Sequence, residues 1–272
     1  MYYDCHTHSC FSHDAPTKTP EQGCEAALKK GLLGVAYTEH ADLRFDVRNH
    51  CSEYITQEAV VVQELKKKYE NCLKVFMGAE IADSYFCPDE LKKTLAICDY
   101  DIILCSVHLI EYQNKPFEMS VADFSDTTAD EIHKIISIYF DEMRKSLYTL
   151  DCDVLCHLTY PLRYFNGKYG KNITLDKHQN IIDDILKIAI DKNVALEINT
   201  AKATKDNPDF NPDISTVQLY KSFGGTMFTL GSDSHVAGNE GNMFKEACDM
   251  LKEIGIDKCC YFENRKPYFY QI

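Results

Sequence analysis

Short runs of consecutive apolar residues recur along this chain, separated by longer stretches whose apolar positions follow a helical spacing. The runs are Tyr2–Cys5, Gly34–Tyr37, Lys74–Ala79, Asp101–Ser106, Asp153–Cys156, Ala195–Ile198 and Met227–Leu230. Such runs, apolar without strict alternation, mark strands covered on both faces, as in a parallel sheet flanked by helices. Between them, helices are predicted from Thr19-Pro20-Glu21 to Gly31, and near Glu53–Tyr69, Asp89–Ile97, Thr128–Leu150, Leu175–Asp191, Ile214–Phe223 and Met243–Ile254. The first has an N-cap threonine, a proline at the first helical position, an acid in the first turn, and a glycine stop after Lys29-Lys30. Repeated strand–helix order predicts an α/β fold of βα units, and seven strands suit a barrel formed as one domain over residues 1–272. A longer insertion, Leu109 to Asp126, interrupts the alternation and reads as a lid or specificity loop.

Composition bounds what such a barrel can do. With 45% apolar residues the chain can bury a sizeable core without disulfides. A net charge of -13 spread along the chain argues against nucleic acid or an anionic membrane as partner. The longest apolar stretches fall short of a membrane span. The start, Met1-Tyr2-Tyr3-Asp4, lacks a basic segment and a long apolar one, so a cytoplasmic location with reduced thiols is expected. The 13 cysteines form no CxxC pair and read as small buried hydrophobes. Oligomeric state is left open.

The chemistry lies at the strand ends. His6 and His8 follow the first run, Glu39-His40 the second, Glu80 ends the third, His108 follows the fourth, His157 the fifth, and Asp233-Ser234-His235 the last. In a parallel barrel these ends open on one face, where the loops converge. His6 and His8 are spaced i, i+2, which puts both imidazoles on one side of an extended segment, and Asp233 and His235 repeat the device. Imidazoles with carboxylates are the usual ligand set for zinc, iron or manganese in hydrolases.

The motifs Asp4-Cys5-His6-Thr7-His8, Thr38-Glu39-His40, Gly78-Ala79-Glu80, Ser106-Val107-His108, Cys156-His157 and Gly231-Ser232-Asp233-Ser234-His235 together resemble those of the polymerase and histidinol phosphatase (PHP) superfamily. The resemblance implies a distorted (β/α)7 TIM-like barrel holding three divalent metal ions at the C-terminal ends of its strands. It assigns His6, His8, Glu80 and Asp233 to one metal, a bridging Glu80 with His108 and His157 to a second, and Asp14, His40 and His235 to the third. His13, beside Asp14, is the alternative ligand.

Phosphate monoesters are dianions that resist hydrolysis, so metals that neutralise charge and activate water suit them. Arg163, six residues after His157, is expected to hold phosphate, with Arg44 as a weaker candidate. Asp233, His235 and His13 are the candidate proton donors to the leaving group. Asn199, in a Glu-x-Asn segment that resembles the histidinol-phosphatase branch, is a candidate for the pocket lining. Acids and aromatics of the insertion, Glu111, Phe117, Glu118 and Phe124, are candidates to receive a cationic substrate. The resemblance implies hydrolysis of a small phosphate monoester, first of all L-histidinol phosphate in histidine biosynthesis. Another ester (a sugar phosphate, a nucleotide or phosphotyrosine) is the alternative, and a non-catalytic anion-binding regulator the reading from another class.

Overall fold

The computed structural model describes residues 1–45 and 51–272. All seven predicted strands are present: β1 (Tyr3–Thr7), β2 (Gly34–Tyr37), β4 (Lys74–Ala82), β5 (Ile102–Ser106), β8 (Val154–Leu155), β9 (Ala195–Asn199) and β10 (Phe228–Gly231) pair in that order. Every pairing along this path is parallel. The sheet closes at its C-terminal rim, where Thr7 bridges Ser234 and the amides of Asp233 and His8 donate to the carbonyls of His6 and Ser234. The fold is thus a nearly closed seven-stranded parallel barrel. A short strand the sequence did not announce, β3 (His40–Asp42), pairs with the upper half of β4.

The helices follow their local signals. Thr19 caps α1 (Pro20–Lys29) in a capping box with Gln22, and Gly31 ends the turn beyond it at φ 72°. Helix α2 spans Cys51–Tyr69 and α3 Pro88–Leu95. Thr128 caps α4 (Ala129–Thr149) in a second capping box, with Glu131. Then come α5 (Gln179–Asp191), α6 (Ile214–Ser222), capped by Asp213, and α7 (Phe244–Glu253). Their apolar faces pack on the outward residues of the strands, such as Met77, Ala79, Ile103, Leu155 and Ile198, to form the main core.

Two segments form hairpins. The insertion after β5 folds as β6 (Leu109–Tyr112) and β7 (Lys115–Glu118), and the C-terminal tail as β11 (Lys258–Glu263) and β12 (Lys266–Gln271). Cys260, Tyr261 and Phe262 of β11 join Tyr3, Cys5, Phe76, Ile102, Leu104 and Val154 in a second core inside the barrel. Tyr3, in the first pair of the β1–β2 register, stacks on Tyr261 with ring centroids 3.9 Å apart, so this hairpin seals the N-terminal mouth. The C-terminal strand packs on the barrel chiefly through Tyr270, whereas Phe269 is half exposed.

A register shift in β1 between Asp4 and Thr7 decides what the barrel interior contains. Below it, Cys5 faces the plug, with its thiol toward the Cys260 carbonyl; above it, His6 and His8 face the opposite, open end. The extra residue of a bulge reverses the in–out alternation, which lets neighbours Cys5 and His6 both turn inward.

Candidate functional site

The strand ends converge on Glu80, which β4 carries into the barrel interior. Its Oε1 lies 2.7 Å from His157 Nε2 and 3.1 Å from His108 Nε2. Its Oε2 lies 2.9 Å from His40 Nδ1, 3.4 Å from His6 Nε2 and 3.5 Å from His8 Nε2. Asp233 Oδ1 faces the same two imidazoles, 3.8 Å from His6 Nε2 and 3.4 Å from His8 Nε2. Asp14 Oδ2 sits at the outer edge, 3.3 Å from His40 Nε2 and 2.9 Å from His235 Nε2. The nine residues singled out from the strand ends and the first loop meet in one cluster. His13 lines the cavity above it but is exposed, and its ring contact is with His40 at 5.6 Å.

The donor set fits divalent cations. Glu80 Oε2 is buried without a hydrogen bond, although three imidazole nitrogens surround it. The nitrogens of His6 and His8 also point at each other, Nε2 to Nε2, at 3.1 Å. Four groups of ligand-type atoms lie within 4.8 Å of one another: His6, His8 and Asp233; His6, Glu80, Cys156 and His157; His40, Glu80 and His108; and His8, His40 and His235. So dense a convergence of lone pairs needs protons or metal ions between them.

A second layer orients these ligand-type side chains, and most of it was missed in the sequence. Glu197 Oε1 lies 2.6 Å from His6 Nδ1, while its Oε2 accepts from the His157 amide at 2.7 Å. Asp42 Oδ1 is 2.7 Å from His108 Nδ1. Ser12 Oγ is 3.2 Å from His8 Nδ1 and donates to Glu39. A partner on Nδ1 fixes the ring and leaves Nε2 for the cluster. Glu197 was visible as a buried acid two residues before Asn199 in an apolar run; Asp42 and Ser12 had no comparable signal. Gly231 is required here, because a Cβ on it would lie 2.1 Å from Glu197 Oε1 and 2.8 Å from the His6 Cβ.

The loops are tied together below the cluster. Lys18 is fully buried; its Nζ is 2.8 Å from Glu240 Oε1 and donates to the Ser234 carbonyl at 2.9 Å. It thereby joins the loop of Asp14 to the loop of Asp233 and His235. Asp233 itself has φ 50°, a left-handed conformation rare for residues other than glycine, which here accompanies the hydrogen bond of its amide to His6.

The cluster forms the floor of a cavity of about 640 Å³, walled by Tyr160, Arg163, Tyr164, Glu118, Ser120 and Lys202 among others. Arg163 donates to Asn199 Oδ1 at 2.8 Å and Asp233 Oδ2 at 3.3 Å, so both Arg163 and Asn199 stand beside the cluster. Arg44, Glu111, Asn199, Phe117 and Phe124, all expected at the substrate, do not line the cavity, and Asn199 contacts it through Arg163. Arg44 pairs with Glu142 at 3.2 Å and stacks 3.2 Å over the Phe86 ring, held there by charge and ring together. Glu111 is exposed two positions out along β6, where the hairpin has left the rim. Phe117 packs on Phe124, which packs on Phe165 and belongs to the core.

Charge in the cluster is strongly redistributed. Burial would raise the Glu80 carboxyl, but the imidazoles of His108, His6 and His40 hold it well below the usual carboxylate range. Asp233 is likewise held low against burial, by His6, His8, His235 and Arg163. His8 is pushed well below the ordinary histidine range by burial and by His40 and His235. His6 goes the opposite way: burial disfavours its charge, but Glu197, Glu80 and Asp233 raise it well above the usual value. The carboxylates therefore collect positive charge at the centre of the cup.

Comparison with known proteins agrees with this geometry. A probable histidinol-phosphatase of Clostridium acetobutylicum is 29% identical over 269 residues, covering 97% of this chain and 98% of that protein. A histidinol-phosphatase of Lactococcus lactis is 27% identical, covering 97% of this chain and 95% of its own. The crystal structure of histidinol phosphate phosphatase from Lactococcus lactis, complexed with zinc, L-histidinol and phosphate, matches the fold with a TM-score of 0.79 at 24% identity over 98% of both chains. That of a putative histidinol phosphatase from Listeria monocytogenes matches with a TM-score of 0.74 at 18% identity, over 90% of this chain and 100% of that one. The PHP domain matches residues 4–201, from the strand that carries His6 and His8 to the loop after Asn199, and with that span the chain belongs to the PHP domain family.

Proposed function

We propose that this chain is a metal-dependent phosphoric monoester hydrolase, a histidinol-phosphatase that releases inorganic phosphate from L-histidinol phosphate. The observation that carries the reading is the buried Glu80 carboxylate, with five histidines around it. Full-length similarity to histidinol-phosphatases, one of them solved with zinc, L-histidinol and phosphate, supports the substrate and the metal.

In this reading His6, His8, Glu80 and Asp233 hold one ion, Glu80, His108 and His157 a second, and Asp14, His40 and His235 a third, with zinc, iron and manganese all compatible with the donors. Divalent cations there supply charge neutralisation for the phosphoryl group and acidify water near it. Glu197, Asp42 and Ser12 fix the imidazole orientations. Arg163 presents a planar donor fork to phosphoryl oxygens, and Asn199 braces that fork from behind at 2.8 Å. His13, exposed at the cavity wall, is the remaining candidate to hand a proton to the departing alkoxide, since Asp233 and His235 are taken up by the metal sets of this reading. A cavity of about 640 Å³ suits a small ester, and the net charge of -13 disfavours a nucleic-acid substrate.

The test is phosphate release from L-histidinol phosphate against a panel of sugar phosphates, nucleotides and aryl phosphates, on protein whose metals have been counted. A kcat/KM of about 10⁴ M⁻¹s⁻¹ or more on histidinol phosphate, well above the panel, is expected. Equal turnover across the panel would overturn the substrate while leaving the family in place.

A further inference from the structure

We infer that Tyr160, backed by Tyr164, donates a hydrogen bond to the bridging ester oxygen of the substrate and steadies the charge that grows there as the alkoxide leaves. This rests on the phosphoric monoester hydrolase reading and adds a residue to its chemistry.

The backbone after β8 fixes the placement. His157 turns out of the strand at φ 27°, and its carbonyl accepts from the Tyr160 amide at 2.8 Å. The Thr159 amide and hydroxyl both donate to Asn211 Oδ1, at 2.9 and 3.0 Å, which pins the turn. The chain then winds through the short helical segments Tyr160–Leu162 and Arg163–Lys168. Positions four apart on such a turn share a face, so Tyr160 and Tyr164 meet, with the Arg163 guanidinium carbon 5.4 Å from the Tyr160 ring. The Tyr160 ring also lies 5.1 Å from that of His157 and 5.8 Å from that of His108. It therefore stands between the arginine fork and the Glu80, His108 and His157 corner of the cluster.

This hydroxyl pair has a proton to spare. Tyr160 is only 7% exposed, and both tyrosines line the cavity. Their phenolic oxygens are 2.7 Å apart. One hydrogen bond between two hydroxyls uses one of their two protons, and neither oxygen has another partner among the described residues. Other hydroxyls of the wall are spent: Ser120 donates to Glu118 and Ser234 to the Val236 carbonyl. With Tyr164 donating, the Tyr160 O–H is polarised and becomes the stronger donor toward the cavity.

The chemistry sets the acceptor. In the proposed reading the non-bridging phosphoryl oxygens belong to Arg163 and the cluster. As water attacks phosphorus, the bond from phosphorus to the ester oxygen breaks and its electron pair stays on that oxygen. An alkoxide leaves poorly, so a donor already aimed at it acts most in the transition state. Tyr160 keeps its own proton throughout, and the proton that completes the alcohol comes from His13 or water.

The experiment is a leaving-group series, from L-histidinol phosphate and simple alkyl phosphates to aryl phosphates ending at para-nitrophenyl phosphate. Wild type, Tyr160→Phe and Tyr164→Phe are compared, each with its metals counted. Tyr160→Phe is expected to lose about 10²-fold in kcat on the alkyl esters and little on the nitrophenyl ester, whose anion leaves unaided. Its rates should therefore depend more steeply on leaving-group pKa than those of the wild type. Tyr164→Phe is expected to shift the same way by a smaller factor, and metal content should be unchanged in both. Equal losses across the series, or an unchanged dependence on the leaving group, would overturn the role while the hydrolase reading stood. A metal-loaded wild type that releases phosphate from none of the esters would overturn that reading, and the role with it.

Discussion

Glu197 Oε1 lies 2.6 Å from His6 Nδ1, a contact across 191 residues of sequence between two fully buried side chains. The same carboxylate takes the His157 amide with its other oxygen, so one acid orients a cluster histidine from β1 and the loop carrying another after β8. Replacing Glu197 by Gln keeps the shape but removes the charge that sets the His6 ring. A 10- to 100-fold loss in metal affinity or activity is expected, read as metal content after dialysis against a graded chelator series. Unchanged retention would refute the orienting role.

Glu80 has the largest expected effect of any single position. Glu80→Gln removes the carboxylate charge that five imidazoles face. The variant should bind fewer metal ions per chain and lose kcat by several orders of magnitude. Metal analysis and phosphate release check this together, and full metal content with near-normal turnover would rule out a bridging role.

Lys18 and Glu240 form a buried ion pair under the loops of Asp14 and His235. Removing one partner strands the other charge, a change that costs about 3–5 kcal/mol in buried pairs. Lys18→Met should lower Tm and, because the pair joins two ligand-bearing loops, weaken metal retention as well. The double variant Lys18→Met/Glu240→Gln should recover part of the Tm. Absence of any recovery would show that the two side chains do not act as a pair.

Asp83 supplies a pH signature outside the cluster. Both its carboxylate oxygens are buried without hydrogen bonds, and burial, reinforced by Asp42, pushes its pKa up to about 8. A carboxyl raised in the fold stabilises most below its unfolded value near 4 and loses that contribution as pH rises to about 8. Asp83→Asn removes the penalty and keeps a residue type that tolerates its φ of 63°. Relative to wild type, the variant should therefore gain stability between about pH 4 and pH 8, by an amount on the order of a few kcal/mol. Urea midpoints at pH 5, 7 and 9 test it, and a constant difference across the three would exclude the titration.

Tyr261 tests the plug. It stacks on Tyr3 and packs on Phe76 at the mouth opposite the cluster. Tyr261→Ala should cost about 3–5 kcal/mol of stability, the usual range for a large buried ring, with metal stoichiometry kept. Loss of metals at unchanged Tm would contradict the separation of the two ends.

Much of this protein is legible along the chain because its signals are local. Each barrel strand is a compact apolar run, and three helix starts carry their own side-chain caps, at Thr19, Thr128 and Asp213. The clustering residues were readable for the same reason: His6, His8, His40, Glu80, His108, His157, Asp233 and His235 all follow or end a run, and a parallel barrel gathers such ends on one face. The insertion was read in sequence as a lid or specificity loop with Glu111 at the substrate, whereas the hairpin leaves Glu111 exposed and off the cavity.

The amino-acid sequence by itself determined the strand order, the helices between the strands and the set of ligand-type side chains at the rim. Tertiary structure decided which partners complete them. Glu197 under His6, Asp42 behind His108 and Lys18 beneath His235 are pairings between distant segments, and no local propensity encodes them. The bulge in β1 turns Cys5 and His6 inward together, and the β6–β7 register selects Glu118 over Glu111 at the cavity. The physical reason is the same in each case: periodicity specifies a residue's face on its own element, whereas the atom it meets depends on register and packing between elements.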